Sequence, residues 1–186
     1  MVVSGKGSNL RNLVERGFDV VAVATNRPSC GGAEFARQRG IALGELPQKA
    51  YASAEQRDAA MRDFFKSQGV ELVVDAGYDR IHTELFVDAF RGRIINVHPS
   101  LLPDLAGGMD AVEQALRSGV KATGATVHVV TGDLDAGPIL LQEEVPIREG
   151  DTVEALRGRI HEAEYRILPQ AVRLMEARLA NSPAVG

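Results

Sequence analysis

Apolar and polar positions divide the chain between two periods. Three β-branched runs read as buried strands: FDVVAVATN at 18–26, ELVVDAG at 71–77 and RIINVHP at 93–99. VVS at 2–4 followed by GKGSNL reads as strand, turn and helix start. Helical patterns lie between these strands. SNLRNLVERG (8–17) opens on Ser-Asn and stops on Gly17, and AEFARQRG (33–40) stops on Gly40. SAEQRDAAMRDFFKSQG (53–69) opens with a Ser53–Gln56 capping box and stops on Gly69. This alternation predicts an α/β fold with a mostly parallel sheet and helices on both faces.

Past residue 120 the rhythm changes. KATGATVHVVT (121–131) and ILLQEEVPI (139–147) both look extended, and the turn-rich GDLDAGP joins them. Two strands this close are expected to pair antiparallel. Residues 152–180 form one long helical pattern with Pro169 inside it, predicting a kink or a second helix start. No repeat or linker interrupts the sequence. The expectation is a single domain over 1–186, with a nucleotide-binding-like half at 1–100 and a hairpin with a closing helix at 101–186.

Composition narrows the class. The chain has 186 residues, 45% hydrophobic and 25% charged, as in an ordinary globular domain. A net charge of −4 gives no footprint for nucleic acid or an anionic membrane surface. Cys30 is the only cysteine, so no internal disulfide forms, and a reducing, cytoplasmic setting fits. The opening MVVSG has neither the basic nor the apolar region of a signal peptide, and no apolar run approaches the ~20 residues of a membrane helix.

Chemistry concentrates in three places. In SGKGSNL the spacing fails the triphosphate loop, and Leu10 stands where a dinucleotide fingerprint needs its third glycine. The loop then reads either as a tight turn capped by Ser8 or Asn9 or as a monophosphate cradle. In INVHPSLLP, residues two apart on a strand share a face, so Asn96 and His98 point together at a carboxyl end. A carboxamide can stabilise an oxyanion, and an imidazole can move a proton near neutral pH. Asp135, in the LDAGP turn, is a third candidate that alone would read as a structural turn aspartate. Neither Ser100 nor Cys30 sits in a nucleophile context.

Taken in order, GKGSNL, AGYDRI, INVHPSLLP, TGATVHVV, LDAGPILLQ and VPI followed by GD resemble the folate-dependent phosphoribosylglycinamide formyltransferases over roughly residues 2–170. The resemblance implies a Rossmann-like formyltransferase fold. It implies formyl transfer from 10-formyltetrahydrofolate, as co-substrate, to the amine of glycinamide ribonucleotide in purine biosynthesis, without a metal. By resemblance, Asn96, His98 and Asp135 are catalytic. Gly5, Lys6, Gly7, Ser8 and Asn9 hold the substrate phosphate, with His161 and Glu164 near the ribonucleotide. Arg57 (or, less well, Arg62), Tyr78, Asp79, Arg80 and Ile81 take the folate, in a second half devoted to folate and catalysis. A cis Leu102–Pro103 peptide is also implied.

Three departures stand out. Only Met1–Val3 precede Ser4, so the first strand is expected to be clipped or the start to lie upstream. PDLAGGMDAVEQAL lacks the histidine the family carries there, with Asp110 a candidate replacement. Lys6 puts a cation beside the expected phosphate. Within the fold, formyltetrahydrofolate hydrolases and methionyl-tRNA formyltransferases share the Asn-x-His and Asp core but carry an extra domain, and sugar-nucleotide formyltransferases usually lack the loop. A non-catalytic folate-binding relative is the rival of another class. The expected partners are small molecules, with no nucleic acid or membrane, and the protein is expected to be a monomer or homodimer.

Overall fold

The computed structural model describes residues 1–104 and 110–181. In chain order its elements are β1 (Val2–Val3), α1 (Ser8–Glu15), β2 (Ala22–Thr25), α2 (Gly31–Arg39), β3 (Ala42–Glu45), α3 (Ala54–Ser67), β4 (Val73–Asp75), α4 (Glu84–Ala89), β5 (Ile94–His98), α5 (Ala111–Ser118), β6 (Ala122–Val129), β7 (Ile139–Pro146) and α6 (Val153–Ala180). The strands form one seven-stranded sheet in the order β3-β2-β1-β4-β5-β6-β7. β1 to β5 pair parallel, and β6 with β7 antiparallel, as the sequence pattern predicts. The strand order reverses at β1 and β4, the switch point where open α/β sheets bind ligands.

Two compact units divide the chain: Met1–Asn96 with Val130–Leu134, and Val97–Val129 with the chain from Asp135 onward. In the first, Val2, Ala24, Met61, Phe65, Val73, Phe86, Phe90 and Ile94 share one core. Phe65 stands 6.3 Å, centroid to centroid, from both Phe86 and Phe90. The helices start where local chemistry dictates. Ser53 Oγ accepts the Gln56 N–H at 3.3 Å, and Gln56 Oε1 accepts the Ala52 N–H at 3.1 Å, closing the predicted capping box one residue further back. The Cys30 sulfur accepts the Ala33 N–H at 3.4 Å as the cap of α2, so the lone cysteine has a structural role. The first strand spans two residues, Val2–Val3, with the Met1 carbonyl accepting from Ala24 at 2.8 Å.

The second unit is built on the β6–β7 hairpin and α6. Gly124 is required there, because a Cβ would lie 2.1 Å from the Glu143 carbonyl oxygen. Pro169 corrects the sequence expectation in part: α6 runs unbroken from Val153 to Ala180 and no second helix starts. An interior proline costs ~3 kcal/mol. Here Ile160, Ala163, Ile167, Leu168, Ala171, Val172 and Met175 bury one face on both sides of it, so packing outweighs local propensity. The pattern reading does not predict β3, α4 or α5, which are short, with 4, 6 and 8 residues. Leu102–Pro103 is cis, as the resemblance implies. Residues 105–109 of the departing loop lie outside the described residues. Asp110 caps α5 through its carbonyl, which accepts from Gln114 at 2.9 Å, and makes no side-chain cap bond.

Candidate active site

The glycine-rich loop is shaped by backbone packed on backbone. Gly7, at φ 72°, is itself the N-cap of α1, displacing the expected Ser8 or Asn9 cap. A Cβ on Gly7 would lie 2.5 Å from the Gly32 Cα, and one on Gly31 would lie 2.9 Å from the Lys6 carbonyl oxygen. Gly32 donates its N–H to Gly5 at 3.0 Å. The start of α2 thus rests on the loop and fixes it, and the start of α1 offers N–H groups to an anion. Gly5 and Lys6 are exposed, Ser8 is half-buried and Asn9 is buried.

The segment after β4 divides in two. Asp79 turns towards the loop: its Oδ1 accepts from Asn26 Nδ2 at 2.7 Å and Ser4 Oγ at 3.1 Å, and Arg27 pairs with its Oδ2. Burial pushes this carboxyl up, but the Asn26 and Ser4 hydrogen bonds, with Arg27 and Arg80, together outweigh it and hold it below the usual carboxylate range. Arg80 is half-exposed, 3.8 Å from Asp79, and the Ile81 side chain is exposed. Arg57, in contrast, is sealed inside. Its guanidinium donates to Asp58 and Gln48 at 2.9 Å and to the Ile81 carbonyl at 3.4 Å. Arg62 pairs with its neighbour Asp63, on the surface.

Beside Arg57 lies His82, a residue the sequence reading missed. Its Nε2 reaches both Asp75 oxygens, at 3.2 and 3.0 Å, while Nδ1 is 4.0 Å from Asp58 Oδ2. Its ring stacks between Tyr78 and Phe86, with centroids at 5.0 and 4.3 Å. Burial alone would lower the His82 pKa, yet Asp75 and Asp58 raise it above the ordinary 6.5. Burial likewise pushes the Tyr78 phenol well above its ordinary value.

Asn96 and His98 occupy alternate positions of β5, as the strand reading requires, with Asn96 in register beside Asp75 of β4. His98 Nδ1 lies 3.6 Å from Asp135 Oδ2. His98 is buried, yet among the described residues its Nε2 has no hydrogen-bond partner. Asp135 is, among the described residues, the one non-glycine with positive φ, at 53°. Aspartate tolerates this left-handed conformation better than most residues, and such strain gathers at functional sites.

A second imidazole, also missed, completes this cluster. His128 Nε2 is 3.5 Å from Asp135 Oδ1, and its Nδ1 is 3.1 Å from the Val129 carbonyl. A carbonyl only accepts, so Nδ1 carries the proton that orients the ring. The signal was present in β6: Thr126 and His128, two apart, share one face, and both are buried. Thr126 Oγ1 donates to the Ser100 carbonyl at 2.6 Å and accepts the Leu102 N–H at 3.1 Å, clamping the chain that leaves His98. The Ser100 hydroxyl donates to the Asp104 carbonyl, consistent with no nucleophilic role. On α6, Glu164 is buried and His161 lies 6.3 Å from the Tyr165 ring. Among the described residues, no group of three His, Cys, Asp or Glu side chains is arranged to hold a metal ion, and no helix is long and apolar enough to cross a membrane.

The formyl transferase family model matches residues 1–172. The chain is 38% identical over 181 residues to the bovine trifunctional purine biosynthetic protein adenosine-3, covering 94% of this chain and only 18% of that protein. It is 36% identical to the phosphoribosylglycinamide formyltransferase of Escherichia coli, covering 92% of this chain and 84% of that one. Among solved structures, glycinamide ribonucleotide transformylase 1 from Symbiobacterium toebii superposes with a TM-score of 0.89 at 43% identity, covering 94% of this chain and 84% of that one. A family model over most of the chain and a full-length relative of this identity lead to one conclusion: the chain belongs to the phosphoribosylglycinamide formyltransferase family.

Proposed function

We propose that this chain transfers the formyl group of 10-formyltetrahydrofolate to the amine of glycinamide ribonucleotide, as a cytoplasmic enzyme of purine biosynthesis built on one formyltransferase domain. The observation that carries this reading is the buried His98 Nε2, which no described protein atom satisfies, while Asp135 faces the other ring nitrogen. A buried polar atom without a partner is costly, and a ligand oxygen would satisfy it.

In this reading the neutral amine attacks the formyl carbon and forms a C–N bond, and the carbonyl oxygen becomes an oxyanion. Asn96 and protonated His98 donate to that oxyanion. Asp135 holds the imidazolium in place, and the proton lost by the amine passes to the folate nitrogen as its bond to carbon breaks. The glycine-rich loop, Gly5 to Asn9, grips the ribose 5-phosphate, and His161 and Glu164 approach the ribonucleotide. Tyr78, Arg80 and Ile81 flank the folate, and Arg57 acts on it by fixing the Ile81 carbonyl.

The deciding experiment incubates the protein with 10-formyltetrahydrofolate, with and without glycinamide ribonucleotide, and follows tetrahydrofolate release. Release that depends on the ribonucleotide supports the transferase. Equal release without it marks a hydrolase, and tight folate binding without release marks a binding protein.

A further inference from the structure

We infer that Asp79 is a positioning residue for the phosphate subsite, not a folate contact. The inference rests on the proposed formyl transfer only for its kinetic readout. Its basis is where the carboxylate is anchored. Asp79 lies after β4, yet both its oxygens engage residues from the carboxyl ends of β1 and β2. Oδ1 accepts from Ser4 and Asn26, Oδ2 faces Arg27, and the Asp79 N–H donates back to Ser4 Oγ at 3.1 Å. Ser4 Oγ reaches Asn26 Oδ1 at 2.6 Å, and the Ser4 N–H donates to Gly77 at 3.1 Å. Ser4 is the residue from which the glycine-rich loop departs, and it is buried.

One carboxylate therefore ties together the three strand ends that surround the switch point. Gly5 and Gly7 have no side chains with which to hold themselves, so the loop depends on Ser4 at one end and on the α2 contact at the other. A bare carboxylate beside a phosphate would repel it. Arg27, with Arg80 nearby, cancels that charge, and the hydrogen bonds remain to hold the loop in shape.

Asp79→Ala removes the brace, and Asp79→Asn keeps the Oδ1 acceptor that Ser4 and Asn26 use. Binding of ribose 5-phosphate by calorimetry, and KM for each substrate, separate the roles. The expected result for Asp79→Ala is roughly tenfold weaker ribose 5-phosphate binding and a matching rise in KM for glycinamide ribonucleotide. KM for the folate stays within about twofold, and Asp79→Asn recovers most of the loss. A rise in the folate KM with ribose 5-phosphate binding unchanged would overturn the inference, as would no change in either. If Asp79→Ala does not fold, Ser4→Ala is expected to give the same phosphate-side loss, and an unaffected Ser4→Ala overturns the inference. If the protein binds ribose 5-phosphate as described but transfers no formyl group, the activity fails and the brace stands.

Discussion

Two histidine–carboxylate clusters in this molecule are near inverses. In the first unit one imidazole, His82, sits between two aspartates, Asp75 and Asp58, with Arg57 alongside and aromatic rings above and below. In the second unit one aspartate, Asp135, sits between two imidazoles, His98 and His128. Each ring keeps one buried nitrogen without a described protein hydrogen bond: Nδ1 in His82, with the Asp58 carboxylate 4.0 Å away, and Nε2 in His98. The difference lies in the surroundings. His82 is stacked between Tyr78 and Phe86, and its Nε2 is engaged by Asp75. Burial, a carboxylate neighbour and an unpaired nitrogen are common to both, so none of them alone marks a reactive site. In the proposed reading His98 is set apart by its place at the carboxyl end of β5, two residues from Asn96.

The largest effect that would break this contrast is catalytic. His98→Ala is expected to lower kcat by on the order of 10²–10³-fold, with little change in Tm, because in the proposed mechanism the lost group serves a developing charge and not the fold. A steady-state assay beside a thermal melt checks it, and near-normal turnover would remove His98 from the mechanism. Asp75→Ala should do the reverse. It leaves the buried His82 imidazolium with only the more distant Asp58, and is expected to cost about 3 kcal/mol in stability by denaturant titration. The fraction that remains folded should turn over at close to the normal rate.

The third expectation concerns pH and is smaller. His82 has a folded pKa above its ordinary 6.5, so the folded state favours the proton. Its contribution is fully present below pH 6.5 and is lost as the pH climbs through the raised value. Melts taken across that window should show stability falling with rising pH in the native protein. The same series in His82→Leu should show that slope flattened, and an unchanged slope would assign it to other groups.

How much of this was legible in the sequence depended on whether a signal was local. The strands β2, β4 and β5 and the Ser53 cap are local, and each is where its residues predicted. Asn96 and His98 were readable because strand alternation alone places them on one face. His82 and His128 were not. His82 sits in the mixed run IHTELF, and His128 shares a strand face with Thr126 in TVHVV, a pattern that marks a polar face but not its chemistry; each acquires its meaning from an aspartate brought close by the fold. Pro169 was over-read for the same reason: its local cost was visible, and the buried face that outweighs it was not. Asp79 shows the limit of resemblance, which supplied a position in a motif while the partners of its carboxylate belong to this chain.

The left-handed backbone at Asp135 also constrains how this protein can change over time. Glutamate would carry the same charge, but on a longer stem and on a backbone that suits it poorly at φ 53°. Asparagine and glycine fit the turn and lack the charge. Few of the replacements that neutral drift would sample keep both the turn and the acid, so the site is held in place by its own loop geometry as well as by its chemistry.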